Sequence, residues 1–526
     1  MLKTLASKLS ALAQDKVAWL ALLAGCVLTF AYAPFGLWPL TILCLTLALW
    51  LTDNGHAKHV AKYAFLFAFG WFAAGISWVH VSIAEFGGLP LPISILLMAL
   101  LCAYLAIYPT LALLFGHYFR HSPWQRSGAL VIGFAVTEWL RGHLLTGFPW
   151  LSFGYSLTDS PLNVLAPWVG EFGLTLITVF MACVLYYLLL KRAFHFAVAG
   201  VAVLLGLFSV PYFSQSPTHY SGHSITTLLV QGNIKQSLRW QPEQFWPTMS
   251  KYRDMTRKHW QNVDLVVWPE AAIPEFEDIA YPFLEGLDKA AAFNDTALIT
   301  GIPDYQFATK TAYNTLITLG KKEKLDSEGQ YHYLHKNRYQ KHQLLPIGEF
   351  VPFEALLRPI APLFNLAMSS FTRGAEVQPN LLANGLHVLP AICYEIAFSE
   401  LVRGNFKAQS DLLFTVSNDA WFGDSHGPHQ HMQIARMRAL ELQRPLVRVT
   451  NNGVTGVYDP IAHSQQTIPQ FAANVLKTDV QLISGVSWYA EQGNRPIWLL
   501  LTMILIALGG ARLKPYLLSK FERNFL

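Results

Sequence analysis

The sequence predicts two joined folds: a polytopic α-helical membrane domain of eight spans and, inserted before the last span, an α/β domain. Three observations carry this. Hydrophobic residues make up 53% of the 526 residues and charged residues 13%, against about 25% charged in soluble proteins. The charge is unevenly spread, with 16 Asp, Glu, Lys and Arg in residues 1–217 and 55 in the remaining 309. From residue 224 onward, short β-rich runs alternate with helical stretches, the pattern of an α/β fold. Disordered, collagen-like, coiled-coil and wholly soluble readings are excluded. A net charge of +5 is small for this length and makes no case for nucleic-acid binding.

A spanning helix needs about 20 mostly apolar residues. Candidates lie near 17–34, 37–52, 60–82, 89–115, 126–143, 168–190 and 194–213, with an eighth near 496–511. A Pro34-Phe35-Gly36 turn is all that separates the first two. Lys and Arg in short loops set orientation. With the N-terminus inside, inner loops hold Lys3, Lys8, Lys16, Lys58, Lys62, Arg120, Arg126, Lys191 and Arg192, and the tail adds Arg512, Lys514, Lys520 and Arg523. The outer loops before the α/β domain hold Arg141 alone. Seven spans before residue 214 then put the α/β domain outside the cytoplasm and both termini inside. The expected division is 1–217, 218–492 and 493–526.

Two local signals have competing readings. Leu23-Ala24-Gly25-Cys26 matches a lipoprotein signal box, but apolar sequence runs straight on through Val27, Leu28 and Phe30, which favours a retained helix. Four of the five cysteines, Cys26, Cys44, Cys102 and Cys183, lie in apolar segments and read as small hydrophobes. Cys393 is the one thiol of the α/β domain. By count alone it is either apolar filler or a reactive group.

In the α/β domain, strands are expected at 225–231, 264–268, 297–302, 311–319, 387–392, 412–417 and 446–450, with helices near 243–260, 280–294 and 428–443. Several strands end in polar groups, where α/β folds gather function. Glu270 follows the strand Leu265-Val266-Val267 in a Trp268-Pro269-Glu270 turn; it reads as a general base or as a helix cap. Lys341 precedes Pro346-Ile347-Gly348-Glu349 and, taken alone, reads as a solvated charge. Cys393 opens Cys393-Tyr394-Glu395 directly after a strand, well placed to attack a carbonyl.

Glu, Lys and Cys in this order and spacing resemble the triad of the nitrilase superfamily. Joined to eight spans, the chain closely resembles the bacterial apolipoprotein N-acyltransferase family, a membrane-anchored branch of that superfamily. Gly147-Phe148-Pro149-Trp150-Leu151, Gly232-Asn233-Ile234 with Trp240, the run from Ser417 to Ser425, and Arg436 to Glu441 through Asn451-Asn452-Gly453 also fit. Departures at His342-Gln343 and Ile347 touch no triad position. The resemblance implies an α-β-β-α sandwich and a two-step acyl transfer. Glu270 is then the base, Lys341 the oxyanion stabiliser and Cys393 the nucleophile that carries a thioester. Glu349 orients Lys341 or shares proton traffic, and Glu395 braces the turn after the nucleophile; each also reads as a structural hydrogen bond. Trp240 and Tyr394 offer aromatic surface for substrate or pack as core. The resemblance also implies a phospholipid acyl donor, typically phosphatidylethanolamine. It implies as acceptor the N-terminal amine of a diacylated apolipoprotein, and a bacterial inner-membrane enzyme facing the periplasm.

The apolar run 352–371 reads as an arm dipping into lipid or as a packed helix. His426, His429 and His431 suggest a metal site, but no Cys is near and the chemistry calls for no metal or other cofactor. A second reading keeps the triad but takes water as acceptor, giving a membrane-anchored amidase. A transporter is disfavoured, since Glu138 and Glu171 are the internal acids and lie near span ends. Nothing in the sequence demands an oligomer, so a monomer is expected.

Overall fold

The computed structural model describes residues 14–214, 217–346, 348–350 and 371–525. Two compact units emerge. One comprises Met1–Ser77, Ile95–Gln215 and Gln492–Leu526; the other comprises Trp78–Ser94 and Ser216–Glu491.

The first unit is helical: α1 (Lys16–Leu28), α2 (Pro39–Leu51), α3 (Ala57–Gly75), α4 (Leu91–Tyr118), α5 (Pro123–His143), α6 (Ala166–Leu189), α7 (Phe194–Phe213) and α11 (Arg495–Phe525). Each expected span corresponds to one of these helices. By length and composition alone, three described helices could cross a membrane: Leu91–Tyr118, Pro161–Leu189 and Phe194–Phe213. Ala57–Gly75 with Val79–Glu85 passes as a broken pair, while Lys16–Ala31, Pro39–Leu51 and Arg495–Ala511 are apolar but shorter. α5 is diluted by Arg126, Glu138 and Arg141, all buried inside the unit. α1 and α3 cross on glycines: a Cβ on Gly25 would overlap the Phe67 carbonyl, and one on Gly70 would overlap the Leu22 carbonyl. Small residues allow this close backbone approach.

The buried charges hold loops in place. Arg141 pairs with Glu138 and donates from Nη1 to the carbonyls of Phe148 (2.6 Å) and Trp150 (2.7 Å). The Tyr32 hydroxyl donates to the Leu151 carbonyl at 2.7 Å. The Gly147–Trp150–Leu151 stretch is thus fastened from beneath. Arg126 and Lys191 both pair with Asp53.

The second unit is an α/β sandwich. One six-stranded sheet runs β12-β1-β2-β3-β4-β5 and the other β11-β10-β9-β8-β7-β6. Their members are β1 (His219–Gln231), β2 (Leu265–Val267), β3 (Ala297–Gln306), β4 (Thr311–Gly320), β5 (Arg338–Gln340), β6 (Leu381–Ala383), β7 (Leu386–Ile392), β8 (Leu412–Ser417), β9 (Leu446–Thr450), β10 (Gly456–Asp459), β11 (Ser464–Thr467) and β12 (Asn474–Ser484). Each sheet contains a parallel trio, β1-β2-β3 in one and β7-β8-β9 in the other.

The strand residues sort by parity. Leu265, Val267, Ala297 and Ile299 meet Val388, Ile392, Phe414 and Val447 in a core between the sheets. Val266, Leu298, Ile317 and Leu319 face outward onto α8 (Pro242–Arg257) through Met249 and Tyr252, and onto α9 (Glu277–Phe293) through Leu284 and Leu287. Burial on both faces makes these strands read as unbroken apolar runs. α10 (Gly427–Leu442) lies beyond the second sheet against β9. The result is an α-β-β-α layering.

All seven expected strands are present. β5, β6, β10, β11 and β12 were not expected; β5, β6 and β11 are edge strands or short, and β12 is mostly polar on its open face.

Candidate active site

The carboxyl ends of the two parallel trios supply most of the polar groups: Asn233 after β1, Glu270 after β2, Cys393 after β7, Asn418 after β8 and Asn451 after β9. Lys341 follows β5, the outermost strand beside β4. The turn at Glu270 is set from below. The Trp268 indole, fully buried, donates from Nε1 to Thr256 Oγ1 at 2.8 Å and packs on Tyr252 with ring centroids 5.5 Å apart. Ala271 then takes a left-handed φ of 46°, a costly conformation for a residue with a Cβ. β3 passes close behind. A Cβ on Gly301 would overlap the Ala271 nitrogen and lie 2.9 Å from the Glu270 Cα. Gly301→Ala is therefore expected to cost about 1–3 kcal/mol through overpacking and to displace the Glu270 carboxylate. Thermal unfolding and the acylation rate, measured on the same preparation, check this.

Lys341 sits between two carboxylates. Its Nζ lies 3.4 Å from Glu270 Oε1 and 2.9 Å from Glu349 Oε2. Asn314 bridges the same pair, its Nδ2 donating to Glu270 Oε1 and Glu349 Oε1 at 2.8 Å each. The Asn418 N–H donates to Glu270 Oε2 at 3.0 Å, and the Leu345 N–H to Glu349 Oε2 at 2.8 Å. Burial disfavours the ammonium of Lys341, yet Glu349 and then Glu270 outweigh it and hold the pKa well above the ordinary lysine value. Burial likewise opposes ionisation of Glu270, but Lys341, Arg239 and the two hydrogen bonds overcome it and keep the pKa below the usual carboxylate range. Glu270 is thus a carboxylate at neutral pH, able to accept a proton.

Cys393 is a partly exposed free thiol on a left-handed backbone, φ 52°, at the sharp exit of β7. Burial and then the Glu270 charge push its pKa up to about 12, against the pull of Lys341 and Ser417. The resting sulfur is protonated at neutral pH, and a thiol in this state can react as a nucleophile only where a base takes its proton. Alkylation of Cys393 in the resting enzyme is expected to keep rising with pH above 9, with no plateau at the free-thiol value of about 8.5. Mass-resolved iodoacetamide labelling across pH checks this.

Behind the thiol lies a buried polar cluster. Ser417 Oγ is 3.3 Å from Cys393 Sγ and donates to Asp419 Oδ1 at 2.5 Å. Arg448 Nη2 donates to Asp419 Oδ2 at 2.9 Å. His431 spans from Asp419 Oδ1 (Nδ1, 3.1 Å) to the Cys393 carbonyl (Nε2, 3.0 Å). Asp419 resists burial because Arg448 and His431 hold its pKa far below the usual range.

Glu395 ties the Cys393 turn to the lysine segment. Its Oε1 accepts from the N–H groups of His342 (2.7 Å) and Gln343 (3.0 Å). Its Oε2 accepts from the Ile392 N–H (2.8 Å) and the Tyr339 hydroxyl (3.1 Å).

The sequence-derived residues therefore fall into three placements. Glu270, Lys341, Glu349, Cys393 and Glu395 come together. Trp240 lies 50% exposed, its ring beside the Arg239 guanidinium at 5.3 Å. Tyr394 is 5% exposed and packs edge-on against Phe398, so its ring is core rather than open surface. The expected arm at 352–371 lies, except for Phe371, outside the described residues. The three histidines do not converge: His429 Nε2 contacts Gln470 Nε2 at 3.0 Å, His431 contacts Asp419 and the Cys393 carbonyl, and no cluster of three or more His, Cys, Asp or Glu suited to a metal occurs among the described residues. Sequence reasoning missed Asn314, Ser417, His431 and Arg448 as partners of the site. A polar Asn in an otherwise β-rich strand was the available signal for the first.

This two-sheet domain is of the carbon-nitrogen hydrolase class, whose family model matches residues 228–492. Residues 24–184 match the apolipoprotein N-acyltransferase N-terminal domain. The chain is 47% identical to the apolipoprotein N-acyltransferase of Shewanella oneidensis, over 93% of this chain and 94% of the relative. It is 46% identical to that of Vibrio cholerae (90% and 93%) and 38% to that of Haemophilus influenzae (93% of each). Among solved structures it is similar to Saccharomyces cerevisiae Nit3, of branch 10 of the nitrilase superfamily, at 15% identity and TM-score 0.36, over 52% of this chain and 94% of that one. The chain belongs to the apolipoprotein N-acyltransferase family.

Proposed function

We propose that this membrane protein moves an acyl chain from a phospholipid to the N-terminal amine of a diacylated apolipoprotein through a thioester on Cys393. The observation that carries the reading is the convergence of a buried ionised carboxylate, a buried ammonium and a thiol at the ends of strands from both sheets.

Glu270 takes the thiol proton as Sγ attacks the ester carbonyl of the donor. The oxygen of the tetrahedral intermediate gains negative charge, which the Lys341 ammonium stabilises together with a backbone N–H at Tyr394. Collapse expels the lyso-lipid alkoxide, which takes the proton held by Glu270, and leaves an acyl thioester. The acceptor amine then attacks. Glu270 accepts its proton, the Cys393 thiolate leaves and is reprotonated, and an amide is released. Glu349 fixes the Lys341 ammonium. Glu395 keeps the lysine segment and the nucleophile turn in register, and Trp240 offers a flat surface to the substrate.

In this reading the helices form eight spans, 1–217 and 493–526 flanking a catalytic domain at 218–492. The Lys and Arg pattern of the loops puts both termini in the cytoplasm and the catalytic domain in the periplasm of a bacterial inner membrane. Phosphatidylethanolamine is the expected donor, and the enzyme works as a monomer.

The test uses purified protein, acyl-labelled phosphatidylethanolamine and a diacylated lipopeptide. Labelled triacylated peptide is expected. Release of labelled fatty acid at the same rate with and without lipopeptide would assign water as the acceptor and an amidase-like hydrolysis instead.

A further inference from the structure

Arg239 lies in the loop that leaves β1, and this loop is pinned over the site. The Asn233 N–H donates to the Asn451 carbonyl at 2.7 Å. The Ile234 N–H donates to Asn451 Oδ1 at 2.8 Å, and Asn451 Nδ2 returns a bond to the Ile234 carbonyl at 2.7 Å. Gln236 is hydrogen-bonded to the Asn418 side chain. The guanidinium is consequently held in place, lining a small cleft with Glu270, Asn418 and Asn451.

Its bonding is incomplete for a partly buried cation. Among the described residues it makes one hydrogen bond, from Nη2 to the Glu270 carbonyl at 3.0 Å, and no carboxylate pairs with it. Arg338 meets Glu277 and Asp304, Arg448 meets Asp419 and Arg403 meets Glu400, while the buried Arg444 lacks an acid but donates to the carbonyls of Ser410, Gln443, Ala408 and Gly485. Arg239 has neither arrangement among the described residues. The Glu270 carboxylate is already committed to Lys341, Asn314 and the Asn418 N–H. A guanidinium carries five N–H donors in a planar fork, so four remain for a ligand beside the reacting groups. The Glu270 charge is near enough to act on Arg239, but it makes no direct ion pair with the guanidinium, whose remaining N–H groups have no protein acceptor among the described residues. The fork matches two oxygens of a phosphate better than a point charge does.

Building on the acyl-transfer reading, we propose that Arg239 is the anion-binding residue of the donor subsite and grips the phosphodiester of the incoming lipid. The ester carbonyl that Cys393 attacks is uncharged. The phosphodiester is the part of such a donor that keeps a negative charge at every working pH, and Trp240, half-exposed beside the guanidinium, offers apolar surface next to it.

The test compares acylation of Cys393 in wild type, Arg239→Gln and Arg239→Lys with two donors in the same detergent micelles. One is a phospholipid and the other an uncharged diacylglycerol with the same chains. Charge-assisted hydrogen bonds of this kind are worth about 10–100-fold. The phospholipid-to-diacylglycerol ratio of kcat/KM is expected to fall by about that factor in Arg239→Gln, chiefly through KM, and to recover in part in Arg239→Lys. An unchanged ratio would overturn the proposal, since Arg239 would then act on Glu270 alike for both donors. So would a KM rise confined to the lipopeptide acceptor. Acylation of wild type by neither donor would instead remove the acyl-transfer reading on which the proposal rests. Thermal unfolding of each variant separates loss of the loop from loss of the anion contact.

Discussion

Cys393→Ala is expected to abolish acyl transfer, by at least about 10⁴-fold, because the proposed carrier of the acyl chain is removed. The variant should fold normally. Cys393 is small and partly exposed, and its neighbours are bonded to the backbone rather than to the sulfur. The Glu395 carboxylate holds the Ile392 N–H, and His431 holds the Cys393 carbonyl. The sulfur has one side-chain hydrogen-bond partner among the described residues, the Ser417 Oγ at 3.3 Å, and that hydroxyl keeps its own proton on Asp419. Thermal unfolding within a degree or two of wild type, together with the lost rate, would separate a chemical defect from a folding one. Retention of full transfer activity would remove Cys393 from the mechanism.

The second large effect belongs to Lys341→Met. Two consequences follow from one change. The tetrahedral oxygen loses its cation, which costs about 10²–10³ in rate. In addition, Glu270 and Glu349 are left joined through Asn314 with no positive charge between them. Breaking a buried ion pair from one side costs about 3–5 kcal/mol, so a lower unfolding temperature is expected as well. The pH behaviour distinguishes this from simple misfolding. In wild type the Glu270 pKa is depressed, so its contribution to stability is fully present above the unfolded carboxylate value and is lost as pH falls through the lower folded value. Without Lys341 that value rises. The residual activity should therefore lose its acid limb at higher pH than wild type does, as the base becomes protonated earlier. A profile with an unmoved acid limb would mean that Lys341 does not set the charge of Glu270.

The sequence made much of this legible, for reasons that can be stated element by element. β2, β3, β7, β8, β9 and the second half of β1, from Ile225 to Gln231, are largely covered on both faces, so each reads as a mostly apolar run. The polar residue that ends such a run marks a place where a loop begins, and that placed Glu270 and Cys393. The edges were harder. β5 has three residues and β11 is fully exposed, so neither carries an apolar signature. β12 is long but exposes polar residues along one side.

Within the site, the missing partners share one cause: they meet through sheet register, not through sequence. Asn314 lies opposite Pro303 on β3 and next to Thr315, which pairs with Gln340 on β5. That register brings it beside Lys341, 27 residues onward in the chain. His431 was read with His426 and His429 because they are close in sequence. α10 instead delivers its ring to Asp419 and the Cys393 carbonyl. Glu395 was expected to brace its own turn. The structure shows it also holding the amides of His342 and Gln343, a contact over 52 residues that no local pattern announces. In the helical unit, charges on α5 lower its apolarity, and their partners, such as the carbonyls bonded by Arg141, become visible once the loop has folded back.

The most direct measurement is intact-protein mass spectrometry after mixing the enzyme with a phospholipid of known acyl chain. One added acyl group, mapped to Cys393 and released by hydroxylamine, is expected to build up in the absence of acceptor. It should disappear when a diacylated lipopeptide is added, with the same acyl group appearing as an amide on the peptide. Transfer to the peptide that proceeds at full rate with no acyl group ever detectable on Cys393, or with the group on another residue, would contradict the thioester mechanism.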